Sequence, residues 1–284
     1  MSMYVEPVVM TSLGRFAPQL TGLSAAPSEL AAIGHGLVIH EHIAPNYGVE
    51  LSEHERRSVH MRRIEQVLEH ALSIDPAPLT TARPPAKRAP GNCRHFTVLL
   101  VALLRAQGVP ARARCGFGMY FREGRGEDHW VAEYWNAAEN RWVLVDGQID
   151  AKQREMFGIG FDVLDVPRDG FLVAADAWQR CRAGSADPDT FGLSFLDEAG
   201  YWWIAANMMR DAAALENVEV LPWDLWGAMP EPDDVVDMEL FDELAAATID
   251  PDSTVDTRRR LMGDERLRVP SKVRNAARQV LEDL

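Results

Sequence analysis

GNCRHFTVLLVALLRAQGVPARARCGFGMYF, residues 91–121, is the stretch that decides the fold. Asn92 is a good helix N-cap, and the run from Phe96 to Leu104 is too apolar for a surface helix. A helix beginning at Cys93 and buried on nearly all sides is therefore expected, stopped by Gly108 and Pro110. In its first turn a thiol meets unpaired backbone N–H groups and the positive end of the helix dipole, both of which favour the thiolate. The same N–H groups can hold an oxyanion.

Working outward, Ala111 to Phe121 alternates. Ala113, Cys115, Phe117 and Met119 fall on one face and Arg112, Arg114 and Tyr120 on the other, the pattern of a half-buried strand. After the polar turn Arg122 to Asp128 come EDHWVAEYW (127–135) and RWVLVDGQID (141–150), read as strands His129–Trp135 and Arg141–Asp146 in a hairpin. With Trp135 facing Asn140, antiparallel counting sets His129 opposite Asp146, Cβ atoms about 5 Å apart. Cys93, His129 and Asp146 each stand at the edge of an element, where a reactive group is held rigidly and still meets solvent. That arrangement suggests a nucleophile, a base and an orienting carboxylate.

Taken singly, each has a plainer reading. A lone Cys at a helix start is more often a small buried residue, and a lone His at a strand edge more often structural. The three together, Cys at a helix start, then His-Trp-Val opening a strand, then an aromatic-rich strand ending in Asp, resemble the transglutaminase-like superfamily, a branch of the papain-like cysteine enzymes. The resemblance implies an α+β fold with Cys93 as nucleophile, His129 as general base and acid, and Asp146 as orienting carboxylate. Gly147 stands where that family often has proline. Cys115 and Cys181 lack such a context and are expected to be inert core thiols.

Composition narrows the remaining choices. A net charge of −14 argues against nucleic-acid binding, because a phosphate backbone would be repelled. From Arg83 to Arg125, however, nine Lys or Arg stand against Glu123 alone, a local +8 around the candidate nucleophile. Arg112 and Arg114 either point into the cleft, where Arg114 would hold an anionic substrate group, or decorate a solvated strand face. Three irregularly spaced cysteines make neither a disulfide framework nor a zinc site. His40 and His42, two apart, lack a third ligand. No metal or organic cofactor is expected. MSMYVEPVVM has no basic segment followed by a long apolar run, and nowhere is there an apolar stretch long enough to cross a bilayer, so no membrane association and a cytoplasmic location are expected.

Elsewhere the chain reads as helices. Ser28 to His42 has helical spacing, and Ser52 with Glu55 opens a second helix running to Asp75-Pro76. Leu79 to Asn92, with three prolines, is an extended loop leading into Cys93 and a plausible wall of the substrate cleft. Beyond Asp150, helices are expected over Phe171–Arg182, Tyr201–Glu216 and Val235–Ala247, with a last one from Ser271.

The expected organisation is an N-terminal helical segment (1–78), a catalytic core (79–150) and a C-terminal helical region (151–284) completing or covering it. The expected chemistry is acyl transfer on an amide or thioester through Cys93, His129 and Asp146, with Asn92, Arg114 and Trp130 as candidate substrate-binding residues. Its substrate would be a small-molecule, peptide or carrier-bound acyl group, an anionic one included. The other class is a non-catalytic binding module on the same fold.

Overall fold

The computed structural model describes residues 2–284. In chain order its elements are α1 (Ala17–Leu20), α2 (Pro27–Leu37), β1 (Val38–His40), α3 (Glu53–Arg56), α4 (Ile64–Ile74), β2 (Ala89–Gly91), α5 (Cys93–Ala106), β3 (Ala111–Arg122), β4 (Arg125–Asn136), β5 (Arg141–Val145), α6 (Ala151–Met156), β6 (Phe171–Val173), α7 (Ala174–Arg182), β7 (Phe191–Leu193), β8 (Glu198–Ala199), α8 (Tyr201–Leu215), β9 (Asp224–Leu225), α9 (Met238–Thr248), α10 (Val255–Met262), β10 (Lys272–Asn275) and β11 (Val280–Asp283). Segregated helices and mostly antiparallel strands make it α+β, as expected. Two compact units are present, one of Met1–Ala113, Val131–Met156 and Gly160–Val166, the other of Arg114–Trp130, Phe157–Ile159 and Pro167–Leu284.

In the first unit α5 is the core. Every residue from Cys93 to Arg105 is buried, each large apolar side chain contributing about 1.5–3 kcal/mol relative to exposure. Arg105 closes the helix, donating from Nε to the Ala111 carbonyl at 2.8 Å and from Nη1 to Thr11 Oγ1 at 3.2 Å. Gly108, at φ +77°, then takes a left-handed conformation and ends the helix where Gly and Pro predicted. Against α5 pack α2 and α4. Strand β1 pairs in parallel with β2, His40 opposite Gly91.

Two expected helices in this unit are shorter. The first stops at Leu37 because Val38 and Ile39, both β-branched, instead pair with Ala89 and Pro90. The second has the expected capping box, Glu55 N–H to Ser52 Oγ and Ser52 N–H to Glu55 Oε2, but α3 ends at Arg56. Ser58 Oγ turns to the Pro90 carbonyl at 2.7 Å, and the chain restarts as α4 with Ile64 N–H on the Met10 carbonyl. Side-chain and loop hydrogen bonds outcompete continuation of the helix there.

The hairpin register also departs from the expected one. Trp135 pairs with Trp142 and Ala132 with Val145, two residues out from the Trp135–Asn140 count. Asn136 is the cause: its carboxamide oxygen accepts the N–H groups of Ala138 and Glu139, and Asn140 adopts φ +52°. Asp146 therefore lies one residue beyond the ladder, its N–H donating to the Val163 carbonyl at 2.8 Å.

In the second unit, residues 114–122 of β3 run between β6 and residues 125–130 of β4, with β7 parallel to β4 and β8 beyond it. A two-residue turn at Glu123-Gly124, with Gly124 at φ +73°, starts β4 at Arg125 rather than at His129. Phe171–Val173, expected as the first turn of a helix, is strand β6 instead. Gly116 and Gly118 of β3 let its backbone come close, and a Cβ on Gly116 would lie 2.1 Å from the Leu172 oxygen. Helices α7, α8 and α9 pack on one another. The helix expected from Ser271 is a hairpin, β10 with β11, joined to β9 through Arg274 and Leu225. Alternation in Lys272–Asn275, with Val273 and Asn275 buried, is too short for periodicity to distinguish from a helical turn.

Candidate active site

Cys93 is the first residue of α5 and is 9% exposed. Its neighbours in the chain are held by a histidine the sequence did not flag. His95 Nδ1 lies 3.2 Å from the Asn92 backbone nitrogen, whose N–H it accepts, and Nε2 lies 2.9 Å from the Met61 carbonyl oxygen. A carbonyl only accepts, so Nε2 carries the proton. Burial, reinforced by the Arg94 charge, pushes the His95 pKa down to about 3, and the ring is neutral. A histidine at the third helical position, where a capping box has Glu or Gln, was the signal available for it. Asn92 itself is buried, its carboxamide 2.8 Å from His95 Nδ1, so with the proton on Nε2 the amide NH2 is turned to that nitrogen.

Asp146 follows β5 and is buried, with Oδ1 accepting the Gln148 N–H at 3.0 Å. Gly147 is required by what lies behind it, since a Cβ there would sit 2.9 Å from Leu100 Cδ2 and 3.6 Å from the Phe96 oxygen. The Asp146 loop thus rests directly on α5, one to two turns along from Cys93.

His129, also buried, lies in β4 inside an aromatic enclosure. Phe121 meets it edge-on with ring centroids 4.8 Å apart, and Tyr120 and Phe171 lie at 6.1 and 6.3 Å. Trp130, next in the strand, is fully buried.

The arginines of β3 are not on a solvated face, because this strand is buried on both sides. Arg112 Nε donates to Glu133 Oε2 at 2.6 Å and the guanidinium stacks 3.9 Å over the Trp142 ring. Arg114, 1% exposed, meets Asp211 through Nε and Nη2 and donates to the Thr248 carbonyl. Of the two other thiols, Cys115 is fully buried, and burial with the nearby Asp187 charge pushes the Cys181 pKa up to about 11. Among the described residues no group of three His, Cys, Asp or Glu is arranged to hold a metal ion, and no helix is long and apolar enough to cross a membrane.

A solved structure from Cytophaga hutchinsonii, described as a putative cysteine protease, is similar at 16% identity and a TM-score of 0.34, over 62% of this chain and 48% of that one. The present chain thus spans about half the length of that protein. No curated protein matches it significantly. The model of the transglutaminase-like superfamily matches residues 49–147, a span that contains Cys93, His129 and Asp146 in that order. The segment 49–147, about a third of the chain, is thus similar to the transglutaminase-like superfamily.

Proposed function

We propose that the protein is a cysteine-dependent acyl-transfer enzyme acting on an amide or thioester, with Cys93 as nucleophile, His129 as base and then acid, and Asp146 as the carboxylate that orients the imidazole. The observation that carries this reading is the family match, which runs through all three residues. Support comes also from Cys93 at the N-terminus of a fourteen-residue helix, where first-turn N–H groups stand beside the thiol. His129 takes the thiol proton and the sulfur attacks the acyl carbon. The tetrahedral oxyanion then collapses, expelling an amine or thiol that receives the proton from His129. The backbone N–H groups of the first turn of α5 are the proposed oxyanion donors. Water or an amine finishes the reaction by attacking the thioester.

Incubation with small activated amides and thioesters, read by intact mass, tests this. An acyl adduct on Cys93 is expected in the wild type and none in Cys93→Ala, with acylation about 10²–10⁴-fold slower in His129→Ala. An adduct that persists in Cys93→Ala, or none with any donor, overturns it.

A further inference from the structure

The loop that carries Asp146 is tied to the N-terminal part of the first unit through a hydroxyl. Tyr47, 103 residues before Asp150 in the chain, donates its O–H to Asp150 Oδ2 at 2.7 Å. A carboxylate only accepts, so the direction of this bond is fixed and the phenol oxygen is left to accept from Gln153 Nε2 at 3.2 Å. Burial, and next the bond to Asp150, raises the Tyr47 pKa above its ordinary value, and the proton stays on the phenol wherever enzymes are assayed.

Two carboxamides take their orientation from that bond. The other Gln153 Nε2 hydrogen goes to the Gln148 carbonyl at 3.3 Å, and Gln153 Oε1 accepts from Gln148 Nε2 at 3.0 Å. Turning the Gln153 carboxamide round would set its oxygen against the Gln148 carbonyl. Gln148 Oε1 is left without a donor in the protein. Asp150 Oδ1 holds the Gln153 N–H at 2.9 Å, which fixes Gln153 in the first turn of α6. Gln148, gripped at both its carbonyl and its side chain, presents its own N–H to Asp146 Oδ1 at 3.0 Å. A continuous line of hydrogen bonds thus runs from Tyr47 to the Asp146 carboxylate, and its two glutamines are buried.

Charged groups surround the line. Arg88 acts on both Tyr47 and Asp150, Lys152 lies 5.2 Å over the Tyr47 ring, and His35, whose pKa burial lowers, feels Asp150 and Asp146. Deleting the phenol oxygen alters none of these charges. We propose that Tyr47 is a positioning residue for the reaction, its hydroxyl fixing the direction of the Asp146 carboxylate through Gln153 and Gln148. The inference rests on the acyl-transfer reading, in which Asp146 stabilises the imidazolium formed when His129 takes the Cys93 proton. A carboxylate locked by such supporting bonds does this better than one free to turn, and a less stable imidazolium leaves the thiol protonated to higher pH.

Iodoacetamide tests this without a known substrate. Its rate with Cys93, read by peptide mapping between pH 5 and pH 10, is compared in the full chain as wild type, Tyr47→Phe, Gln153→Met, Lys152→Gln and His129→Ala. At pH 10 the thiol is ionised in every form, and the rates are expected to agree. At pH 6, Tyr47→Phe and Gln153→Met are expected to react about threefold or more slowly than wild type, with Lys152→Gln unchanged. His129→Ala checks the underlying reading: a wild-type rate there at pH 6 removes the base, and this inference with it. A loss in His129→Ala with none in Tyr47→Phe overturns the positioning role alone. So does a loss in Tyr47→Phe that is equal at pH 6 and pH 10, or one that Lys152→Gln reproduces. Tyr47→Phe, which keeps the ring, decides the question even if Gln153→Met fails to fold.

Discussion

Arg114 and Asp211 lie 97 residues apart in the chain and meet through two parallel hydrogen bonds of 3.0 and 2.9 Å, with side chains 1% and 0% exposed. Asp211 Oδ1 takes the Cys115 N–H as well, at 2.8 Å, so one carboxylate holds both a guanidinium and a strand backbone. Removing it leaves a buried charge uncompensated. Asp211→Ala is expected to lower unfolding stability by about 3–5 kcal/mol, and Arg114→Met combined with Asp211→Leu by much less. Guanidinium titrations of both variants check this; equal losses would mean that the ion pair is not what the core requires.

Thiol reactivity separates the three cysteines. Cys93, in the first turn of α5, is expected to react with limiting iodoacetamide at pH 7 at least tenfold faster than Cys115 or Cys181, the latter held protonated by burial. Peptide mapping reads the ratio, and uniform labelling contradicts it.

At Gly147 the limit is space. Gly147→Ala would drive its Cβ to 2.9 Å from Leu100 Cδ2 within a packed helix face. A loss of about 1–2 kcal/mol is expected, read as a lowered Tm by circular dichroism. An unchanged Tm would show that Leu100 yields freely.

Glu41 supplies a pH dependence. Burial, opposed by Arg56 at 3.7 Å, raises its pKa from the ordinary 4.5 to about 7. The folded state therefore binds a proton that the unfolded chain has released between pH 4.5 and 7, and stability falls as pH rises through that window. Glu41→Gln is expected to flatten this slope and gain about 1–3 kcal/mol at pH 8. Urea unfolding at pH 5 and pH 8 gives the comparison; a wild-type slope retained in the variant would assign it to another group.

Helix α5 and the strands around His129 were legible because their apolar runs and alternations are long enough for one period to win. Arg112 and Arg114 misled for the converse reason. Alternation of charged with apolar residues signals a half-exposed strand, and nothing local announces Glu133 and Asp211 as partners 21 and 97 residues away. Strand β6 looked helical because Phe171-Leu172-Val173 runs straight into the alanine-rich α7; what makes it a strand is the flat edge that Gly116 offers from a distant segment. The register slipped by two because one carboxamide, Asn136, sets the loop. Within the candidate site, the chain positions of Cys93, His129 and Asp146 could be read from motif order. The open acceptor on Gln148 Oε1 could not, since it exists only once the Gln153 hydrogen bonds are fixed.

The neutral His95 has a kinetic consequence. A ring that holds Asn92 on one nitrogen and Met61 on the other, and gains a proton only near pH 3, keeps the start of α5 in one arrangement across the whole range in which enzymes are assayed. Any bell-shaped profile that the proposed activity follows near neutrality has limbs that report groups other than this histidine, and the backbone that carries the thiol behaves as a fixed reference against which their protons are counted.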